Sequence, residues 1–169
     1  MRLMMIAATL AAALATPALA ADPAGPARAV IETFVAGFND PAKLEAAKAT
    51  HVASPVIIDE PPPYLWTGRD AMETWLADQH KEALAMGRTD EKVTLGRTLR
   101  AEMAGGQAYV IVAATYRYTE KGVPKAEPSR MTYVLKSGRA GWKIAAWTWT
   151  GPRGIAVKAK PSAPMATPQ

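Results

Sequence analysis

An α+β domain is predicted for this chain, with a curved antiparallel sheet wrapped around a long helix. Two observations predict it. Up to Met86 the apolar residues recur at helical spacing, and from Lys92 onward they alternate with a period of two. Glycine-containing turns then cut the second half into four strands that follow one another as a meander. Helices gathered ahead of such a sheet pack on one of its faces, and the open mouth of the curve suits a ligand.

The elements follow in order. Val30, Ile31, Phe34, Val35 and Phe38 form a stripe that predicts a helix from Ala27 to Phe38. Asp40 and Pro41 cap and open a short second helix, Ala42 to Thr50. Val56-Ile57-Ile58 is a β-branched strand, and Pro61-Pro62-Pro63 stops it because proline donates no ladder hydrogen bond. The longest helix runs from Ala71 to Met86, with Met72, Trp75, Leu76, Gln79 and Ala83 on its buried stripe and Gly87 as its stop. Strands are expected near Lys92–Met103, Gln107–Thr119, Ser129–Lys136 and Gly141–Thr150.

The flanks read differently. Arg2, the apolar run from Leu3 to Leu14, and Ala18-Leu19-Ala20 are the parts of a cleavable signal peptide, expected over residues 1–20. That places the mature protein in the periplasm or outside the cell, with no membrane attachment after cleavage. Residues 27–152 make the domain. Residues 153–169, with Pro161, Pro164 and Pro168, read as a disordered Pro/Ala-rich tail.

Composition excludes several classes. The chain has no cysteine, so thiolate nucleophiles, thiolate metal sites and disulfides are out. Its net charge of +5 falls to +4 without Arg2, and the basic residues are interspersed with acids. A dispersed charge of that size argues against nucleic acid as a partner. His51 and His80 stand 29 residues apart with no spaced ligand beside them, read as solvated surface residues, and no metal or other cofactor is expected.

The residues Ala29-Val30-Ile31-Glu32-Thr33-Phe34-Val35-Ala36-Gly37-Phe38-Asn39 resemble the first helix of the nuclear transport factor 2-like (SnoaL-like, ketosteroid isomerase-like) superfamily. Gly68-Arg69-Asp70-Ala71-Met72 is similar to the start of its long helix, and Gly141-Trp142-Lys143-Ile144-Ala145-Ala146-Trp147 to its last strand. The run Ile57 to Tyr64, followed by Trp66 and Gly68, looks like a group of exported bacterial members. The resemblance implies a cone-shaped fold. It leaves the activity open, since one such fold hosts isomerases, dehydratases, hydrolases and non-catalytic modules.

Asp59 falls where the resemblance puts the proton-shuttling aspartate of ketosteroid isomerases. At the end of an apolar strand, its carboxylate would gain proton affinity by desolvation and suit a general base. A structural carboxylate tied up by Arg69 or backbone amides is the plainer alternative. Glu60 should point to the opposite face if the strand is regular. Phe34 stands where the same enzymes carry an oxyanion-donating tyrosine, so steroid isomerase chemistry of that kind is not expected. Ala146 and Thr148 occupy positions where many relatives have histidines.

Phe34, Tyr64, Trp66, Trp75 and Tyr116 are the candidate ligand-binding residues, a set suited to a small apolar or aromatic molecule. Simple core packing is the competing account of each. Trp147 and Trp149 alternate with Ala146 and Thr148 and so face away from the Ile144 side; with Ile144 toward the helices, both lie on the outer sheet face. There they would form a homodimer interface. Three functions therefore stand side by side: an exported small-molecule binder, a cofactor-independent isomerase, dehydratase or hydrolase using Asp59, and a non-catalytic dimerisation or accessory module.

Overall fold

The computed structural model describes residues 24–158; the expected signal peptide and the end of the expected tail lie outside them. Helix α1, Gly25–Asn39, buries Ile31, Phe34 and Val35 of the expected stripe together with Ala27, and Val30 and Phe38 are partly buried against the same core. Asp40 accepts a hydrogen bond from the Ala42 amide at 3.1 Å and opens a 3-10 turn, Pro41–Lys43, that runs into α2, Leu44–Lys48. The two helices meet at Gly37. A Cβ there would lie 2.2 Å from Ala47 Cβ and 2.7 Å from the Lys43 carbonyl oxygen, so only glycine allows the approach.

Seven strands follow, interrupted by one long helix. They are β1 His51–Ile58, β2 Leu65–Thr67, β3 Arg88–Ala104, β4 Gln107–Glu120, β5 Val123–Gly138, β6 Gly141–Thr150 and β7 Ile155–Ala156. Helix α3, Ala71–Met86, lies between β2 and β3 and ends at Gly87 in the left-handed conformation, φ 64°. The sheet order is β2-β1-β6-β5-β4-β3, with β7 added beside β5. No described helix is long and apolar enough to cross a membrane.

Several expectations need correction. The sheet is mixed, since β1 pairs parallel to β6 while its other pairs are antiparallel. The crossover through α3 gives the chain the length a parallel pairing needs. β5 starts at Val123, ahead of the expected Ser129, and includes Pro124 and Pro128. The Pro124 carbonyl faces β7 and accepts from the Val157 amide at 2.9 Å, so its missing N–H falls on that edge and not on the β4 ladder. Within the tail expected from Arg153, Ile155 and Ala156 pair with Ala126 and Lys125, and residues 159–169 of that expectation lie outside the described ones.

Bulges give the sheet its curve. Three breaks in register interrupt the β3–β4 pairing, each bending β3. In β6, Val134 and Leu135 of β5 face Ala146 and Ile144, leaving Ala145 unpaired. That surplus residue puts Ile144 and Trp147 on the same side, the concave one, where both are buried. The core fills that side: α1 and α3 lie against Val110, Val112, Met131, Tyr133 and Leu135.

Gly37→Ala is expected to destabilise the protein by about 1–3 kcal/mol through overpacking. Gly25→Ala, with nothing within 4 Å of its added Cβ, serves as the control. Urea unfolding of the two variants makes the comparison; equal stability would contradict the close helix contact.

Candidate functional site

β1 ends at Ile58, and the chain turns back through the prolines to β2. Tyr64 N–H donates to the Pro61 carbonyl at 2.8 Å, and Asp59 N–H to the Tyr64 carbonyl at 3.2 Å. This turn aims the Asp59 carboxylate at α3. One oxygen accepts from the Glu60 amide at 2.8 Å; the other accepts from Trp75 Nε1 at 2.9 Å and Gln79 Nε2 at 2.5 Å. Trp75 and Gln79 are four residues apart, hence neighbours on one helix face. Burial raises the Asp59 pKa; the Trp75 indole, the Glu60 amide and Gln79 oppose that rise, and Glu82 adds to it.

Asp59 lines a cavity between the helices and the concave sheet face. Phe34, Phe38, Trp75, Tyr116, Trp147 and Trp149 supply aromatic wall. Trp147 and Trp75 meet edge to face at 5.0 Å, Phe38 lies 6.0 Å from Trp75, and Tyr116 lies 6.3 Å from both Phe38 and Trp149. These are ordinary aromatic contacts, arranged as an arc around the space. About 50 Å³ is open to water-molecule centres. One water needs about 10–15 Å³ on that measure, so the chamber takes a few waters or one slim group.

Its polar side is acidic and partly bridged. Glu60, Glu82 and Glu127 join Asp59 in the wall, with Arg88 and Arg153. Arg153 reaches Glu60 at 3.2 Å and Glu82 at 3.6 Å. Arg88 reaches Glu120 at 3.3 Å and Glu82 at 3.8 Å, and its guanidinium lies 4.7 Å above the Tyr118 ring. Glu127 is 1 % exposed; its Oε1 accepts from the Tyr118 hydroxyl at 2.8 Å and the Gly154 amide at 2.9 Å. The Tyr116 hydroxyl donates to Glu91. Burial pushes Glu60 up to about 7, helped by Glu127 and Asp59 and opposed by Arg153 and Arg88.

Of the sequence candidates, Asp59, Phe34, Trp75 and Tyr116 come together in this wall. Tyr64 does not: it is 58 % exposed, at φ 71° in the proline turn, outside the cavity lining. Trp66 is buried but serves packing, its indole donating to Asp78 of α3 at 2.8 Å. Trp147 and Trp149, expected outside, line the cavity instead, and Trp147 is 3 % exposed. The Ala145 bulge reverses the parity that had put them on the outer face. The same reversal turns Ala146 and Thr148 outward, alongside Val56 and Ile58, so the nature of those two side chains does not bear on the cavity.

Two further expectations change. Glu60 shares the cavity with Asp59 because β1 has already ended and strand alternation no longer applies. His51 is buried, not solvated: it packs edge-on against Phe34 at 4.9 Å, and its Nδ1 lies 3.1 Å from Thr50 Oγ1. Desolvation lowers its pKa to about 4. His80 is exposed as expected. Glu82, Arg88, Glu127 and Arg153 are residues that sequence reading missed. Glu82 had a signal, standing seven residues after Trp75 and three after Gln79 on the same helix face.

The two shifted groups oppose each other with pH. Glu60 titrates near 4.5 when unfolded and about 7 when folded. The stability it contributes is therefore complete below about pH 4.5 and is lost as pH rises through 7. His51 moves from 6.5 to about 4, so its contribution is present above pH 6.5 and lost as pH falls through 4. Thermal melts should show Glu60→Gln gaining on wild type as pH rises across this range, and an unchanged difference would contradict the assignment.

Comparisons with known proteins extend the picture. No family model matches the chain, and no curated protein matches its sequence. Solved structures do match. A ketosteroid isomerase-like protein from Erwinia carotovora superposes with TM-score 0.58 at 18 % identity, over 78 % of this chain and 97 % of that one. A type 2 hexachlorocyclohexane dehydrochlorinase, LinA, gives 0.65 at 10 % identity, over 85 % and 94 %. An NTF2-like protein with a cystatin-like fold from Novosphingobium aromaticivorans gives 0.60 at 17 % identity, over 78 % and 83 %. The likeness is one of fold, helices packed against a curved sheet, and the chain has the nuclear transport factor 2-like fold.

Proposed function

We propose that this protein binds a small, largely apolar molecule in the aromatic chamber. The observation that supports this best is the convergence of six aromatic rings and the Asp59 carboxylate on one open space. Rings supply apolar area at low entropic cost, and one fixed carboxylate orients what enters. The leader pattern Arg2, Leu3–Leu14 and Ala18-Leu19-Ala20 supports an exported, periplasmic setting. Three tryptophans of the wall report occupancy by fluorescence. A small aromatic probe such as 2-phenylethanol should give a saturable change in emission, and Trp149→Ala should weaken it about tenfold. No saturable change would remove the reading.

One observation favours a second reading, cofactor-independent proton transfer with Asp59 as base. Its carboxylate is partly desolvated, has a raised pKa, and is held in place by Trp75 and Gln79. The ketosteroid isomerase-like and dehydrochlorinase neighbours have names that fit such chemistry. On this reading Asp59→Asn abolishes proton exchange on a bound ketone, a loss of about 100-fold or more. Phe34→Tyr, which restores an oxyanion donor, raises it. Exchange that is indifferent to Asp59 would sink the enzyme reading and leave the binder.

We also propose a homodimer through the outer sheet face. The surface now carrying that idea is the uncharged band of Val56, Ile58, Ile111, Thr132, Val134 and Thr148, in place of the tryptophans. Light scattering should show Ile111→Lys shifting the protein toward monomer. A wild type that is monomeric at micromolar concentration would contradict it.

A further inference from the structure

Two carboxylates of the chamber have no cationic partner. Among the described residues neither Asp59 nor Glu127 is within salt-bridge distance of a lysine, arginine or histidine. Asp59 is held by an indole, an amide side chain and a backbone N–H, all neutral. Glu127, 1 % exposed, is held through Oε1 alone by a phenol and a backbone N–H, and its second oxygen takes no hydrogen bond among the described residues. Glu82 Oε2 is likewise buried without a donor.

Charge in the wall does not balance. Four carboxylates face two guanidiniums, and both guanidiniums are engaged: Arg88 by Glu82 and Glu120, Arg153 by Glu60 and Glu82. Arg153 is also 59 % exposed, on the segment Gly151–Gly154 that loops out between β6 and β7. The remaining wall is aromatic, and the faces of indole and phenyl rings attract a cation independently of any carboxylate. Acidic groups and aromatic faces are two separate features that favour the same charge on a guest.

We infer that the ligand of this chamber is a small organic cation, an aryl-alkyl or alkyl amine whose body lies among the rings and whose ammonium meets the carboxylates of Asp59 and Glu127. This rests on the proposal that the chamber binds a small molecule, and it adds the sign of the ligand's charge. Arg153 then acts as the chamber's own stand-in, holding Glu60 and Glu82 at the mouth while the deeper carboxylates await a partner. Burial raises the proton affinity of Glu60, and the neighbouring carboxylates of Glu127 and Asp59 add to the rise.

Three probes that share a phenylethyl body and differ in the charge of the head group test it on the full chain at neutral pH: 2-phenylethylammonium, 2-phenylethanol and 3-phenylpropanoate, titrated by calorimetry. The amine should bind at least about tenfold more tightly than the alcohol, as a charge-assisted hydrogen bond implies, and the carboxylate should bind most weakly. Glu127→Gln should lower the amine-to-alcohol affinity ratio, its amide oxygen still accepting from Tyr118. Arg153→Gln, at an exposed position, should raise that ratio and serves if the Glu127 variant fails to fold. An alcohol as tight as the amine, or a tighter carboxylate, overturns the cationic ligand while leaving a small-molecule chamber. Failure of all three to bind overturns both.

Discussion

Between Ile144 and Ala146 the β6 strand holds one residue more than β5 pairs with, and the aromatic chamber depends on that surplus. A strand's side chains alternate, so one extra residue exchanges the faces of everything beyond it. Here it turns Trp147 inward, to meet Trp75 at 5.0 Å and Phe34 at 5.3 Å. Trp149 follows on the same side and meets Tyr116. Without the bulge, the far half of β6 would offer Ala146 and Thr148 to the chamber, and the two tryptophans would face outward. The two tryptophans of the wall that come from β6, and the Trp147 contact with Trp75 of α3, follow from this local event.

What enters is then a matter of electrostatics in a confined space. Asp59 is desolvated yet held by three neutral donors, which keeps a carboxylate inside without a counter-ion. Glu60, next in sequence, gains proton affinity chiefly by burial, with Glu127 and Asp59 adding to the rise and Arg153 and Arg88 opposing it. Gly154 seals this side because its backbone amide donates to Glu127 and a Cβ would fall 2.2 Å from the Tyr118 hydroxyl. The C-terminal segment is thereby part of the wall.

Much of this was legible in the sequence, for identifiable reasons. Helical periodicity placed Phe34 and Trp75 on buried faces, and the change to period two located the strand-rich half. The proline run marked the end of the strand that presents Asp59. What was lost has three physical sources. A bulge has no mark in the alternation of Ile144, Trp147 and Trp149, so a parity argument sends the tryptophans to the wrong face. The first part of β5, which holds Glu127, lies ahead of the expected start at Ser129; it carries Pro124 and Pro128, and the missing N–H of Pro124 falls on the β7 edge and leaves the β4 ladder intact. Tail-like composition likewise concealed Arg153 and the short strand after it. Tyr64 and Trp66 are near Asp59 in sequence but belong to the turn and to the β2–α3 packing, where proximity along the chain does not become proximity to the space.

The orientation of Trp147 is the central claim, and a variant retaining it as the sole tryptophan, the other four replaced by phenylalanine, reads it directly. With Trp147 inside, its emission is blue-shifted, resists quenching by acrylamide, and responds to a small aromatic guest such as 2-phenylethanol. Red-shifted emission quenched as readily as free tryptophan, in a variant whose circular dichroism shows it folded, would place the indole outside and contradict the account.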